Sequence, residues 1–200
     1  MARLYDNLPS GNGYKCRLIL HQLGIAYERI ELDTYAGATR TPEFLAKNAN
    51  GRIPLLELDD GRRLAESDAI LWYLADGTPF VPDDKFARAQ VLQWMFFEQY
   101  SHEPYIAVVR SLVKYRPHDP RHAGIAELRQ RGYAALGVME QHLSARRFFV
   151  EDRYSIADIA LYAYTHVAGE GGFDLAAFPS VRAWLARVAE QPRHIPITQG

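Results

Sequence analysis

A change in the predicted secondary structure near residue 77 is the sequence feature that most constrains the fold of this chain. The segment before it alternates strand and helix patterns, whereas the segment after it is predicted to be helical throughout. Between them GTPFVPDD, residues 77–84, combines two prolines with clustered acids, a composition typical of a linker between compact units. With 200 residues, 48% of them hydrophobic, the chain is long enough to bury a core in each part. The sequence therefore predicts an α/β domain at 1–77, a linker at 78–83 and an all-helical domain at 84–200.

The first domain is predicted to form a small mixed sheet. Asp60-Gly61 separates two extended stretches, a strong signal of a tight antiparallel hairpin. Gly24 ends an amphipathic pattern, and Thr41 with Pro42 supplies a cap and a first-turn proline for another helix. The expected elements, in chain order, are a strand at 3–7, a helix ending at Gly24, a strand at 27–32, a helix from Thr41 to about Lys47, a hairpin over 53–65 and a helix capped by Ser67 that ends at Gly77.

The second domain is predicted to consist of helices separated by turns. Ser155 and Asp158 fit a capping box, in which serine serves a first-turn amide and the acid reaches back to the cap amide. We expect these residues to make a well-formed helix start without any further role, with the serine contributing roughly 1 kcal/mol of stability. The expected helices lie at about 84–102, 124–143, 155–168 and 178–191.

Composition excludes several classes of function. The net charge is −1 and the basic residues are scattered, so a nucleic-acid or anionic-lipid partner is not expected. The N-terminus lacks an apolar signal core, and no apolar run approaches the roughly 20 residues that a membrane span needs, so we expect a cytosolic protein. The single cysteine, Cys16, excludes an intrachain disulfide framework and a paired-cysteine redox motif.

Two apparent motifs do not predict a nucleotide or metal site. Gly11 and Gly13 suggest a dinucleotide-binding turn, but the third small residue of that fingerprint is replaced by Cys16, and a hairpin replaces the next parallel unit. His118 and His122 lie in a proline-containing loop without convergent ligands, so we expect no metal.

The start of the first helix carries the more informative residues. Cys16 shares a stripe with Ile19 and Leu20, which predicts burial as a small hydrophobic residue rather than a nucleophilic role. Ser10 precedes the helix, where free backbone amides and the helix dipole favour an anion. From position alone Ser10 is either an ordinary helix cap or a group that faces a bound anion.

Two further stretches indicate a peptide ligand. Pro54 at the entry to a strand lies at an edge or in a cis turn, which leaves the backbone of Ile53 available for pairing. Glu66 suits an ammonium group, and Ser67 at a helix start suits a carboxylate. A ligand with an α-amino acid end, a central peptide group and a thiol accounts for Glu66, Ser67 and the Ile53 backbone together with Ser10.

These residues, in this order, resemble a cytosolic glutathione transferase over the whole chain. The matching motifs are PSGNGYK, RIPLLELDDG, ESDAILWYLA, the proline-rich linker and SIADIALYAYTHV. The resemblance implies a thioredoxin-like N-terminal domain, an all-helical C-terminal domain that binds a hydrophobic substrate, glutathione as co-substrate, and a homodimer.

The resemblance also implies roles for individual residues. Ser10 occupies the hydroxyl position of serine-type members, and Asn12 resembles an asparagine near the sulfur in some bacterial disulfide-reducing members. Tyr5 lies earlier than the tyrosine of the tyrosine-type members, and Tyr14 is an alternative donor to Ser10. The residues matched to glutathione binding are Thr39, Arg40, Arg52, Ile53, Pro54, Glu66 and Ser67, and those proposed for the hydrophobic substrate are Tyr100, Tyr105 and Val109.

The expected activity follows from thiol acidity. A free thiol has a pKa of about 8.5, and lowering it by about two units requires roughly 2.7 kcal/mol of differential stabilisation. A hydroxyl hydrogen bond and a helix N-terminus together supply that order of energy. The activated sulfur then attacks a hydrophobic electrophile. The alternatives are glutathione-dependent disulfide reduction and a noncatalytic binding scaffold with the same fold.

Overall fold

The computed structural model describes all 200 residues, which form two compact units. The first unit comprises Met1–Asp76 together with Pro192–Gly200, and the second comprises Gly77–Gln191. The predicted helical domain extended to residue 200, whereas the segment from Pro192 onward packs on the first unit instead. None of the helices combines the length and apolar character needed to span a membrane.

The first unit contains a four-stranded mixed sheet, as predicted. Its strands are β1 (Ala2–Asp6), β2 (Tyr27–Glu31), β3 (Leu55–Glu57) and β4 (Arg63–Ala65). They lie in the order β2-β1-β3-β4, with β1 parallel to β2 and antiparallel to β3, and with β3 antiparallel to β4. The hairpin turns at Gly61, whose φ of 83° lies in the left-handed region that glycine adopts readily. The strand-helix-strand unit followed by a hairpin confirms the thioredoxin-like arrangement.

Three α-helices accompany this sheet. They are α1 (Gly11–Leu23), α2 (Pro42–Leu45) and α3 (Ser67–Ala75). Gly24 ends α1 in the left-handed conformation, and the Thr41 hydroxyl accepts a hydrogen bond from the Phe44 amide at the start of α2, both as predicted. Helix α2 is shorter than predicted, because the chain leaves the helix after its first turn.

The sheet buries apolar side chains on both faces. Successive residues of a strand point to opposite faces, so Leu4 and Tyr5 of β1 belong to different clusters. One cluster comprises Leu4, Cys16, Leu20, Leu56 and Ile70, and the other comprises Tyr5, Phe44 and Leu55. Cys16 is fully buried, and burial raises the pKa of its thiol well above the usual value. Cys16 is therefore a packing residue, as predicted.

The second unit is all helical. Its helices are α4 (Lys85–Phe97), α5 (Glu103–Tyr115), α6 (Ile125–Leu143), α7 (Ile156–Thr165) and α8 (Pro179–Ala189), and a π-helical turn at Glu98–His102 joins α4 to α5. The prediction of a single helix over 84–102, with no helix between 102 and 124, was wrong. Pro104 reads as a breaker in sequence, but it lies in the first turn of α5, where its missing amide proton is not needed.

Helix α7 is the buried centre of the second unit, with all ten of its residues buried. It begins with the predicted capping box, in which Asp158 Oδ2 accepts a hydrogen bond from the Ser155 amide at 2.9 Å. Asp158 Oδ1 also accepts from the Phe149 amide at 3.3 Å and from Trp184 Nε1 at 2.9 Å. One carboxylate thus fixes the start of α7 and ties it to two other segments.

Candidate glutathione site

Ser10 lies at the turn between β1 and α1 and is the N-cap of α1. Its backbone is extended, with φ −71° and ψ 125°, and its Oγ accepts a hydrogen bond from the Gly13 amide at 3.2 Å. The Ser10 amide donates to the Asn7 carbonyl at 2.8 Å. The hydroxyl proton donates to no acceptor within the chain, and the residue is partly exposed. A ligand atom at the helix N-terminus therefore finds a fixed hydroxyl donor together with the positive end of the helix dipole.

A buried ion pair supports this turn from behind. Arg17 Nε donates to Asp6 Oδ2 at 2.8 Å, and both side chains are fully buried. Arg17 Nη2 also donates to the Leu8 carbonyl at 2.6 Å, and Asp6 Oδ1 accepts from the Asn7 amide at 2.7 Å. Burial raises the pKa of Asp6 to about 6, against the opposing effect of the Arg17 guanidinium. The pair thus holds residues on both sides of the turn that carries Ser10.

The segment Pro192–Gly200 completes this support. Arg17 Nη1 donates to the Ile197 carbonyl at 3.0 Å and to the Gln199 carbonyl. The Tyr14 hydroxyl donates to the Ile195 carbonyl at 2.7 Å, and the Tyr14 ring is fully buried. A buried hydroxyl already bound to a backbone carbonyl is a poor donor for a ligand thiolate. This geometry disfavours Tyr14 as the alternative to Ser10.

Close packing accounts for the glycine in the turn. A Cβ on Gly13 would lie 1.5 Å from Asp6 Oδ1, a distance that no side chain permits. Gly13 is therefore required by the approach of the Asp6 carboxylate to the helix. The glycine pattern that suggested a dinucleotide site has a structural cause.

A second cluster joins α1 to α3. Ser67 Oγ donates to Asn12 Oδ1 at 3.2 Å, and Lys15 Nζ donates to Ser67 Oγ at 3.4 Å and to Asp68 Oδ1 at 3.2 Å. The prediction that Ser67 caps α3 was wrong, because Glu66 is the N-cap and Ser67 is the first helical residue. The Ser67 hydroxyl instead links two of the predicted site residues. Lys15 and Asp68 were not predicted, since nothing in the sequence pairs them.

The structure also brings predicted residues together around Asn50. Asn50 Nδ2 lies 3.5 Å from Glu66 Oε1, and Arg40 Nη1 donates to the Asn50 carbonyl at 3.1 Å. Glu66 and Arg40 are exposed, whereas Thr39 is buried. Glu66 has a φ of 67°, a backbone conformation that non-glycine residues rarely adopt and that concentrates at binding sites. This arrangement offers a carboxylate and a guanidinium near one another on the surface.

The segment before β3 has the geometry expected for pairing with an extended ligand. The peptide bond between Ile53 and Pro54 is cis. The sheet ladder begins at Leu55, so the backbone of Ile53 lies outside it. Arg52 is exposed, and its carbonyl accepts from Asn48 Nδ2 at 2.8 Å.

Comparison with known proteins identifies the family. The family model "Glutathione S-transferase, N-terminal domain" matches residues 2–76, and "Glutathione S-transferase, C-terminal domain" matches residues 102–192. A crystal structure of glutathione S-transferase from Pseudomonas fluorescens Pf-5 is 53% identical, covers 99% of both chains and superposes with a TM-score of 0.97. The chain belongs to the glutathione S-transferase family.

Two further relatives show how function varies among similar glutathione transferase chains. The glutathione transferase URE2P6 from Phanerochaete chrysosporium, solved in complex with oxidized glutathione, is 29% identical over 96% of this chain and 92% of that chain, with a TM-score of 0.86. The transcriptional regulator URE2 of Saccharomyces cerevisiae is 29% identical over 98% of this chain and 67% of that protein. The proteins similar to this chain thus include a glutathione transferase solved with oxidized glutathione and a transcriptional regulator.

The residues predicted to bind the hydrophobic substrate belong to the second unit. Tyr100 lies exposed in the π-helical turn, and Tyr105 is half-buried in α5. Val109 is fully buried in α5, where it packs beside Gly171. Tyr100 and Tyr105 thus present surface to a ligand and Val109 does not, and the assignment of this site stays a prediction. The chain contains no group of three or more His, Cys, Asp or Glu residues arranged to hold a metal ion.

Proposed function

We propose that this glutathione transferase activates the thiol of glutathione at Ser10 for attack on a hydrophobic electrophile. The observation that carries the proposal is the Ser10 hydroxyl, which accepts from the Gly13 amide and donates to no group of the chain. A hydroxyl held in this way donates to a thiolate at the helix N-terminus. A hydrogen bond to a charged partner contributes about 1.5–3 kcal/mol, and the helix dipole about 0.3–1 kcal/mol. Their sum matches the roughly 2.7 kcal/mol needed to lower a thiol pKa by two units.

The reaction is a substitution at carbon. The thiol proton leaves to solvent as the thiolate forms, and Ser10 donates a hydrogen bond to the sulfur. A sulfur lone pair then forms the bond to an electrophilic carbon, and the leaving group departs with the electron pair of the broken bond. With a chlorinated nitroaromatic the products are a thioether and chloride.

The remaining predicted residues are proposed to bind the rest of glutathione. Glu66 suits the ammonium of the γ-glutamyl end. Ser67 at the start of α3 offers its first-turn amide to the carboxylate, together with a hydroxyl that donates to Asn12 Oδ1 in the free chain. The Ile53 backbone pairs with the central residue of the tripeptide. Arg52 and Arg40 are exposed guanidinium groups suited to the glycine carboxylate, with Thr39 beside Arg40.

Turnover with a chlorinated nitroaromatic tests the catalytic assignment. Ser10→Ala is expected to lower kcat/KM about 30-fold, the equivalent of about 2 kcal/mol of lost thiolate stabilisation. Asn12→Ala is expected to have a smaller effect, since the Asn12 side chain also engages Ser67. Ser144→Ala, which removes an exposed serine hydroxyl, is the matched control. Unchanged rates in both Ser10→Ala and Asn12→Ala would contradict the catalytic assignment.

Retention on immobilised glutathione tests the binding assignment separately. The double variant Glu66→Ala, Ser67→Ala is expected to lose retention, because both ends of the γ-glutamyl group lose their partners. Asp83→Ala, an exposed acid in the linker, serves as the control. Full retention by the double variant would place glutathione elsewhere.

Disulfide reduction is a second candidate, favoured by the relative that binds oxidized glutathione. In that reaction the thiolate attacks one sulfur of a small mixed disulfide and releases the other as a thiol. The same assay with a small mixed disulfide decides between attack on an electrophilic carbon and disulfide reduction. The substrate that is turned over faster identifies the chemistry. Glutathione retention without turnover of either substrate would instead favour a binding scaffold, as the regulator among its relatives suggests.

Two finer expectations accompany the proposed activity. Tyr105→Ala is expected to raise the KM for the electrophile without changing the KM for glutathione.

We also expect a homodimer, supported by the large side chains of Phe86 and Phe96 that α4 leaves exposed. Sedimentation should then give twice the 22.8 kDa mass of one chain, and a monomer would contradict this expectation.

A further inference from the structure

A fully buried lysine lies behind the proposed glutathione site. Lys15 belongs to α1, and none of its side chain is exposed. Lysine is almost never fully buried unless its ammonium is paired. Its Nζ donates to Ser67 Oγ at 3.4 Å and to Asp68 Oδ1 at 3.2 Å, both in the first turn of α3. The activity proposed above assigns no role to this ammonium.

Stability alone does not account for the ion pair between Lys15 and Asp68. The Asp68 side chain is only 14% exposed, so both charges are largely shielded from water. Taking two charges out of water costs about as much as their attraction returns, so a buried ion pair is weak evidence of stabilisation. Apolar side chains of similar volume would fill the space between α1 and α3 without that cost. The pair differs from such a contact in its charge and in the direction of its hydrogen bonds.

Lys15 fixes the direction in which Ser67 donates. An ammonium has donors and no acceptor, so Ser67 Oγ accepts from Lys15 and keeps its single proton for another partner. In the free chain that partner is Asn12 Oδ1, at 3.2 Å. Ser67 is only 5% exposed, and a buried hydroxyl proton is costly to leave without an acceptor. The lysine thus holds the Ser67 hydroxyl as a donor.

Lys15 also offsets a negative charge where a ligand carboxylate is proposed to bind. Asp68 lies in the first turn of α3, where the helix dipole favours an anionic group. The γ-glutamyl carboxylate is proposed to bind the same turn at Ser67, and two carboxylates at one helix start repel each other. A carboxylate oxygen that accepts from Ser67 Oγ lies at most about 6 Å from Lys15 Nζ, because an O–H···O bond is about 2.7 Å long. One ammonium thus lies close to both carboxylates.

We propose that Lys15 is a positioning residue that selects the γ-glutamyl carboxylate of glutathione. This inference rests on the activity proposed above, in which Ser67 binds that carboxylate. Lys15 acts through its two neighbours, because it keeps the Ser67 hydroxyl as a donor and offsets the repulsion from Asp68. When glutathione binds, the Ser67 proton turns from Asn12 Oδ1 to the ligand carboxylate, while Ser67 Oγ continues to accept from Lys15.

Calorimetric titration with two ligands tests the proposal. One ligand is glutathione, and the other is its analogue with a primary amide in place of the γ-glutamyl α-carboxylate. Wild type is expected to bind glutathione about tenfold more tightly than the amide, and Lys15→Met is expected to reduce that preference to about twofold. General damage to the fold would weaken both ligands alike. Lys85→Met, which removes an exposed lysine of α4, is the matched control and is expected to keep the wild-type preference.

The nitroaromatic assay adds a kinetic readout. Lys15→Met is expected to raise the KM for glutathione and to leave kcat at saturating glutathione unchanged, because the ammonium acts on the carboxylate end of the ligand and not on its sulfur. A fall in kcat with an unchanged KM would overturn the proposal.

A second variant keeps the test independent of the folding of Lys15→Met. Asp68→Asn removes the repelling carboxylate and keeps the ammonium, so it is expected to bind glutathione about threefold more tightly than wild type and the amide no more tightly. Unchanged preference in Lys15→Met, or glutathione binding in Asp68→Asn no tighter than in wild type, would overturn the proposal. Equal affinity of the wild type for the two ligands would instead place the carboxylate away from Ser67, and the proposed binding mode would fail together with this inference.

Discussion

Two serines begin helices in this protein by similar means and with different consequences. Ser10 precedes α1 in the first unit, and Ser155 precedes α7 in the second, both with extended backbones. Ser155 is only 3% exposed, and its Oγ and amide both donate to Asp158 Oδ2. Ser10 is partly exposed and donates nothing through its hydroxyl. The third helical residue makes the difference, since α7 has a carboxylate there and α1 has Gly13.

The missing side chain at Gly13 leaves the start of α1 available to a ligand. A capping box closes on itself, because the acid at the third position takes the cap amide and, here, the cap hydroxyl. At α1 the nearest carboxylate is Asp6, which approaches Gly13 from the end of β1 and is bound to Arg17. The same helix-start chemistry therefore supports stability at Ser155 and suits ligand binding at Ser10.

Removal of the Asp158 carboxylate is expected to give the largest effect of this comparison. Asp158→Ala leaves the amides of Ser155 and Phe149 and the indole Nε1 of Trp184 without their acceptor. Buried unsatisfied donors cost about 1–3 kcal/mol each, so the free energy of unfolding should fall by about 4 kcal/mol. Chemical denaturation followed by tryptophan fluorescence measures the loss, with Asp83→Ala as the exposed control. A loss below about 1 kcal/mol would contradict this account of the box.

The pH dependence of stability separates Asp158 from other groups. Burial raises its pKa from 3.8 to about 6, so the folded protein keeps the proton over a range where the unfolded chain has released it. Stability present below pH 4 is therefore lost as the pH rises through 6, by up to about 3 kcal/mol for this group. In Asp158→Asn the decline in the free energy of unfolding between pH 4 and 7 should be smaller by that amount. Asp6, with a similar shift, leaves a remaining slope in the variant. An unchanged slope would contradict the assignment to Asp158.

Removal of the Ser10 hydroxyl is expected to change the pKa of the bound thiol rather than the stability of the fold. Ser10→Ala is expected to raise the pKa of bound glutathione by about one unit or more, because a hydrogen bond to a charged group is worth about 1.5–3 kcal/mol. Ultraviolet absorbance of the thiolate, titrated against pH at saturating glutathione, measures the shift. Ser155→Ala is the matched control and should leave that pKa unchanged. Equal thiol pKa values in wild type and Ser10→Ala would assign the thiolate to another donor.

Local signals in the sequence predicted most of the fold. The mixed sheet, the hairpin at Asp60-Gly61, the αL glycine after α1 and the box at Ser155 each depend on a few neighbouring residues. Helix α5 was not predicted, and its Pro104 lies in the first turn, where a proline does not stop a helix as it does in the interior. Rules based on residue type alone thus fail where the position of a residue within a helix decides whether the helix forms.

The candidate site was less accessible from sequence, because its contacts join distant positions. Ser10 was placed correctly at the start of α1, which needs only its own neighbourhood. The bond from Lys15 to Ser67 spans 52 positions, and that from Tyr14 to Ile195 spans 181. No periodicity predicts that the end of the chain returns to support the Ser10 turn. That part of the site depends on tertiary packing.

The smallest effect is expected from Ser155→Ala, and it limits how far the two serines are alike. Loss of the hydroxyl removes one half of the box but leaves the bond from the Ser155 amide to Asp158 in place. Loss of an N-cap side chain costs about 1 kcal/mol, so the free energy of unfolding should fall by about that amount while turnover stays at the wild-type rate. Chemical denaturation and the nitroaromatic assay on the same preparation measure both. A loss of turnover in this variant would mean that the buried capping serine also affects the chemistry, and the contrast with Ser10 would no longer hold.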